Sequence, residues 1–206
     1  MKILAVSDHV VDAIYDRRIG ERFDDVDMVV SCGDLPYSYL EFIATLLNVP
    51  CFYVHGNHDH PEHQASGRTL TEPGGWVNLD GRSVEAKGVL LAGLEGSIRY
   101  KPNVSYQYSE HAMAWKIWCL IPYLLVNRFR RGRYLDILVT HSPPRGIHDG
   151  EDLPHQGFES FLAFMNWFKP RYLLHGHKHV YGTEPTRTAY ADTEVINIEP
   201  FRVIEY

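Results

Sequence analysis

Cysteine is scarce in this chain of 206 residues, and the three present, Cys32, Cys51 and Cys119, are odd in number and far apart. Their spacing and apolar surroundings argue against a disulfide framework and for buried, reduced thiols, the usage expected of a cytoplasmic protein. Positive charge is short as well. With 20 Lys and Arg against 26 Asp and Glu, the net charge is -6, which disfavours a nucleic-acid binder relying on a broad basic surface. Any anionic ligand must then be held locally. Long apolar runs are missing, since no stretch reaches the roughly 20 residues of a membrane span. Met1 to Val6 reads as a strand leading straight to Asp8 rather than as a secretory leader. Repeats, low-complexity tracts and Pro/Gly/Ser linkers are lacking too, so one domain over residues 1–206 is expected.

What is present is a rhythm. Ile3 to Val6, Met28 to Val30, Cys51 to Val54, Val89 to Ala92, Leu135 to Thr140 and Tyr172 to Leu174 are apolar, strand-like runs. Ser38 to Leu47 and Phe158 to Phe168 have helical spacing between them, and Val11 to Phe23 is a weaker helix containing Gly20. The fold class expected is α/β, with helices on the outer faces of the sheets. From Tyr181 to Tyr206 the pattern alternates, and Glu194 to Ile198 and Arg202 to Ile204 read as antiparallel strands of a second sheet packed on the first.

An aromatic and basic insertion at about 106–133 interrupts this rhythm. Ser109-Glu110 precede a helical run with Trp115, Trp118, Ile121, Leu124, Leu125 and Phe129, which Pro122 is expected to kink or divide. Arg128, Arg130, Arg131 and Arg133 follow and suit either a helix C-terminus or an acidic surface. Ordinary packing, a lid, a homo-oligomer interface and peripheral membrane contact all remain open for it.

Five clusters of oxygen and imidazole groups each follow a strand-like run: Ser7-Asp8-His9, Gly33-Asp34, Gly56-Asn57-His58-Asp59, Thr140-His141 and Gly176-His177-Lys178-His179. One Asp or His alone is more often a turn or core residue. Several strands delivering such groups to one sheet edge would instead build a site for divalent metal ions, and Asp34 has two oxygens that could bridge a pair of them. The mixed O/N donor set suits manganese, iron or zinc better than calcium.

The ordered set resembles the calcineurin-like metallophosphoesterase superfamily, whose motifs run Asp-x-His, Gly-Asp, Gly-Asn-His-(Asp/Glu), His and Gly-His-x-His. The match extends from Asp8 to His179 and four of the five motifs are complete. The resemblance implies a four-layer α-β-β-α sandwich of two mixed sheets with outer helices. It implies that Asp8, Asp34 and His179 hold one metal, and that Asp34 bridges to a second held by Asn57, His141 and His177. His58 would assist the leaving group or stabilise the transition state, with Asp59 orienting its ring. Two cations about 3.5–4 Å apart would activate a water and clamp phosphoryl oxygens during in-line attack. The implied activity is hydrolysis of a small phosphate monoester or diester, with His9, Arg145 and His148 as possible substrate contacts.

Val10 departs from the family pattern, standing where the first motif has histidine. Valine offers no electron pair, so the first metal is expected to bind more weakly and the protein to hold one or two divalent ions. Water could fill the vacancy, or His9 could swing in, provided the backbone leaves regular strand geometry there. A noncatalytic interaction scaffold, similar to the retromer subunit of the same fold, is the alternative reading.

Overall fold

The computed structural model describes residues 1–179 and 182–206. In chain order its main strands are Lys2–Val6 (β1), Met28–Ser31 (β2), Cys51–Tyr53 (β3), Trp76–Asn78 (β4), Ser83–Ala86 (β5), Val89–Leu94 (β6), Ile137–Thr140 (β7), Tyr172–His175 (β8), Arg187–Tyr190 (β9), Thr193–Asn197 (β10) and Phe201–Glu205 (β11). The helices are Ile19–Arg22 (α1), Tyr37–Leu47 (α2), Glu110–Arg131 (α3) and Glu159–Phe168 (α4). Two mixed sheets result, ordered β11-β1-β2-β3-β4 and β9-β10-β8-β7-β6-β5. Within the first, β1 to β4 are parallel and β11 is antiparallel to β1. Within the second, β6, β7, β8 and β10 are parallel, with antiparallel β5 and β9 at the edges.

Side-chain alternation explains the layering. Successive strand residues point to opposite faces, so Ile3, Ala5, Met28 and Val30 of the first sheet meet Leu91, Val139, Leu174 and Ile196 of the second in a shared central core. Leu4, Val6 and Val29 face the other way, onto Ile19 of α1 and Leu40 and Ile43 of α2. Leu90, Ala92, Leu138 and Leu173 likewise meet Met113, Ile117, Leu120 and Leu124 of α3 and Phe161, Phe164 and Met165 of α4. The order is therefore helix, sheet, sheet, helix, the expected α-β-β-α sandwich. Each fully buried Val, Leu, Ile, Phe or Met among them contributes roughly 1.5–3 kcal/mol.

Three local expectations are revised. The helix expected from Val11 to Phe23 shrinks to Ile19–Arg22, because the Asp16 carboxylate accepts the Arg18 N–H at 2.9 Å and stabilises a turn in its place. The two C-terminal strands do not pair. Val195 packs under the helices and Ile196 in the central core, so β10 lies inside the second sheet, while β11 crosses to the edge of the first. Tyr181, where the alternating stretch was expected to begin, lies outside the described residues.

The third revision concerns α3, which runs unbroken through Pro122. Ser109 caps it by accepting the Ala112 N–H at 3.2 Å, Gly132 closes it at φ 74°, and the Arg128 guanidinium donates to the Gly132 carbonyl. Of the basic tail, Arg131 pairs with Glu85 and Arg133 with Asp136. Cys32 and Cys51 are buried, but Cys119 is exposed, a departure from the expected buried thiol. It lies on the outward side of α3, where Trp115, Trp118 and Phe129 are also exposed. Among the described residues no helix is long and apolar enough to cross a membrane.

Candidate metal centre

Strand direction gathers the clusters. Asp8, Asp34 and Asn57 follow β1, β2 and β3, while His141 and His177 follow β7 and β8, so parallel strands in both sheets deliver them at their C-terminal ends. Asp8, Asp34 and His177 all adopt left-handed backbone, with φ of 64°, 57° and 67°. Around Asp8 the His9 N–H reaches the Ser7 carbonyl at 2.7 Å, and around His177 the Lys178 N–H reaches the Gly176 carbonyl at 2.8 Å. These are γ-turns, strained conformations that persist where the surroundings enforce them. They swing each side chain off the strand line.

Two glycines permit the crowding. A Cβ on Gly56 would lie 1.9 Å from Asp34 Oδ1, and one on Gly176 would lie 1.9 Å from Ser7 Oγ and 2.4 Å from Asp8 Oδ2. Neither position tolerates a side chain without displacing a carboxylate. The Asp8 oxygens accept the His177 N–H at 3.1 and 3.0 Å, and Asp34 Oδ1 accepts the His58 N–H at 2.8 Å.

The Asp34, Asn57, His141 and His177 group has the chemistry of a cation site. His141 is fully buried, and its Nδ1 donates to the Cys32 carbonyl at 2.8 Å, which leaves Nε2 as the lone-pair nitrogen. Nε2 faces Asn57 Oδ1 at 2.9 Å and Asp34 Oδ2 at 3.4 Å. A lone pair aimed at two oxygens needs a positive centre between them, either a proton or a metal ion. Burial pushes the His141 imidazole down, but the Asp34 charge outweighs it and holds the pKa up at about 9. Burial likewise pushes Asp34 up, and His141 brings it down to about 2. His177 donates Nε2–H to the Pro154 carbonyl at 2.6 Å, leaving Nδ1 as its lone pair. Burial, with the charge of His141, keeps it neutral, its pKa lowered to about 3. Ligand atoms of Asp34, His141 and His177 lie within 4.8 Å of one another. The residues present therefore fit a divalent transition metal.

His58 is exposed and borders a cavity of about 480 Å³, shared with Asp34, Pro36, Tyr37, His60 and Glu62. The expected Asp59–His58 contact takes another form. Among the described residues Asp59 makes no hydrogen bond to the His58 ring; its Oδ2 accepts the Gly56 N–H at 2.8 Å, so it braces the loop. Burial and the nearby Asp34 charge raise Asp59 to about 6.

The remaining expected residues divide. Among the described residues His179 shares no metal-ligating group with Asp8 and Asp34; its Nδ1 lies 3.5 Å from Glu199 Oε1, and His9 Nδ1 lies 2.9 Å from the same oxygen. Arg145 sits beside Asp149 at 3.5 Å. His148 has both ring nitrogens engaged, Nδ1 with His175 at 3.0 Å and Nε2 with Thr188 at 2.9 Å, which argues against a phosphate contact. Sequence reading missed several neighbours. Tyr100 accepts the Asn57 amide at 3.2 Å, and Glu95 gathers His55 Nδ1 at 2.9 Å, Tyr108 Oη at 2.5 Å and Lys116 Nζ at 3.3 Å just behind that loop. Glu199 carried one signal only, its place in a Pro-containing turn.

Comparison with known proteins bears on this arrangement. Residues 1–181 match the family model described as calcineurin-like phosphoesterase. UDP-2,3-diacylglucosamine hydrolase of Salmonella typhi is 25% identical over 185 residues, spanning 87% of this chain and 73% of that protein. The structure of TT1561 of Thermus thermophilus aligns with a TM-score of 0.62 at 17% identity, covering 96% of this chain and 88% of that one. Phosphopantetheinyl hydrolase (PptH) from Mycobacterium tuberculosis aligns with a TM-score of 0.54 at 13% identity, covering the same 96% and 88%. Those two structures speak for the fold alone.

Proposed function

This chain belongs to the calcineurin-like phosphoesterase family, and from that premise we propose that it is a metal-dependent hydrolase of a small phosphate monoester or diester. The observation that carries the reading is the buried His141 Nε2 aimed at both Asn57 Oδ1 and Asp34 Oδ2, beside a cavity that exposes His58. When bound, divalent cations at such a site lower the pKa of a water and neutralise phosphoryl oxygens.

The chain's own residues supply the rest. Asp34, Asn57, His141 and His177 hold a cation, manganese, iron or zinc by donor type, with Cys32 and Pro154 carbonyls fixing the two rings. His58 presents its imidazole to the cavity and donates a proton toward the leaving-group oxygen. Its backbone N–H, held by Asp34, fixes where the ring starts. Tyr37 and Pro36 wall the same cavity and would flank the leaving group. The curated relative's name contains a UDP group, which supports a phosphate ester of a small organic molecule as substrate. The buried, free Cys32 and Cys51 support a reducing compartment such as the cytoplasm.

The test is turnover of bis(p-nitrophenyl) phosphate and p-nitrophenyl phosphate with Mn²⁺. We expect metal-dependent hydrolysis that falls about 10²–10⁴-fold in His58→Ala, the size of a lost acid–base group. A second reading, a noncatalytic scaffold, draws on Val10, which is 45% exposed and offers no ligand. Absent turnover across both esters and several metals would favour it.

A further inference from the structure

His9, His179 and Glu199 form a second group of metal-ligating side chains, contributed by three separate parts of the chain, with ligand atoms within 4.8 Å of one another. Glu199 Oε1 lies 2.9 Å from His9 Nδ1 and 3.5 Å from His179 Nδ1, and the two rings have centroids 4.8 Å apart. Ligands about 2.0–2.2 Å from a tetrahedral ion stand on the order of 3.4 Å from one another, so these separations suit one cation.

The γ-turn at Asp8 makes this possible. In a regular strand His9 and Asp8 would point to opposite faces. With Asp8 at φ 64° and the His9 N–H closed onto the Ser7 carbonyl, the chain leaves strand geometry, and it is His9 rather than Val10 that turns to the His179 loop. The scaffold behind it is tied. The Ser7 N–H donates to the Pro200 carbonyl at 3.0 Å, and the buried Asn197 donates to the Lys178 carbonyl at 2.8 Å while accepting the Glu199 N–H at 3.0 Å. One side chain thus holds the turn that bears Glu199 to the loop that bears His179.

We propose that this chain replaces the imidazole missing at Val10 with His9 and Glu199, so that its first divalent cation is held by His9, His179 and Glu199. The donor set, two imidazoles and one carboxylate, selects a first-row transition metal over Ca²⁺ or Mg²⁺. Side-chain exposures of 55% for His9, 39% for His179 and 11% for Glu199 leave the cation open to solvent on one side, as in sites that keep a coordination position for water or substrate. The proposal rests on the phosphoesterase reading for the presence of a first cation, but its test does not depend on turnover.

Co²⁺ titration of the whole protein, followed by visible absorption and by bound-metal analysis, reads each cation separately. Wild type is expected to take up two equivalents. His9→Ala and Glu199→Gln should each weaken one of them by more than about 100-fold, the upper end of what losing a supporting residue costs, and keep the other; His141→Ala should do the reverse. Thermal melts check that each variant is folded, and a folded Glu199→Gln suffices if His9→Ala is not. Three results overturn the proposal: a wild type with one equivalent only, wild-type titrations in both His9→Ala and Glu199→Gln, or a site that tightens in Val10→His yet ignores His9→Ala. A His9-dependent Co²⁺ site without ester hydrolysis would uphold this inference and sink the hydrolase reading. Hydrolysis with a Co²⁺ titration insensitive to His9 would do the opposite.

Discussion

The His177 N–H donates to both carboxylate oxygens of Asp8, at 3.1 and 3.0 Å, across a sequence separation of 169 residues. Asp8 follows a strand of the first sheet and His177 follows one of the second, so this contact fastens the two sheets at the site. Burial raises the Asp8 pKa, and the N–H counters it in part. The two strained turns brace each other.

Gly176→Ala should break that brace. The new Cβ would meet Ser7 Oγ at 1.9 Å and Asp8 Oδ2 at 2.4 Å, which forces the carboxylate aside. A displacement on the order of 1 Å costs roughly 10²-fold in rate. Because the His177 N–H rests on that carboxylate, the shift passes to a proposed metal ligand, so we expect a loss of about that size in kcat/KM together with a lowered Tm; a wild-type rate and Tm would show that the brace is immaterial.

His141 and Asp34 form a buried ion pair when no metal is bound. Removing one partner of such a pair costs about 3–5 kcal/mol, because the other charge is left uncompensated. Urea denaturation of the chelated protein should show that loss for His141→Ala. The His141→Ala, Asp34→Asn double variant should lose less than the sum of the singles, and strict additivity would count against direct coupling.

Glu95 predicts an acid-sensitive step. Burial pushes its carboxyl up, but hydrogen bonds from His55 and Tyr108 and the Lys116 charge bring it down to about 2, below its ordinary 4.5. A carboxylate depressed in the folded state stabilises the fold above pH 4.5, and that contribution disappears as pH falls from 4.5 toward 2. Asp80, which shares Lys116, is raised by burial and by Glu95 and offsets part of this. Glu95→Gln should therefore be less stable than wild type at pH 7, with the gap narrowing below pH 4.5. A gap constant from pH 7 to 3 would refute the assignment.

The two faces of α3 should respond differently. Leu120 and Leu124 are fully buried, so either Leu→Ala change should cost about 2–5 kcal/mol. Trp115 is 70% exposed and Phe129 is 92% exposed, so Trp115→Gln and Phe129→Gln should stay within about 0.5 kcal/mol of wild type in dilute solution. Denaturant midpoints compare all four.

Much of this molecule was legible in its local pattern. Strand and helix spacing located β1, β2, β3, β6, β7, β8, α2 and α4, because alternation and 3.6-residue periodicity report which face is buried. The order of the Asp, Asn and His clusters pointed to the family for a related reason: parallel strands bring their C-terminal ends to one edge. Local pattern failed where a turn competed with a helix, where a helix face stayed uncovered, and where the deciding partner was distant. The turn chemistry of Asp16 shortened α1, the outward side of α3 exposed Cys119, and β11 found its partner at the opposite end of the chain.

The sequence by itself determined the donor chemistry: which oxygens and imidazoles exist, and that Val10 supplies none. Only the tertiary structure decided which donors meet. Asp59 turned to the Gly56 N–H, His148 was taken up by His175 and Thr188, and His179 came to lie with His9 and Glu199 apart from Asp8. Those choices depend on backbone turned at Asp8 and His177 and on loops from different strands sharing one edge. No local periodicity encodes them, because the turns are held in place by contacts across the two sheets.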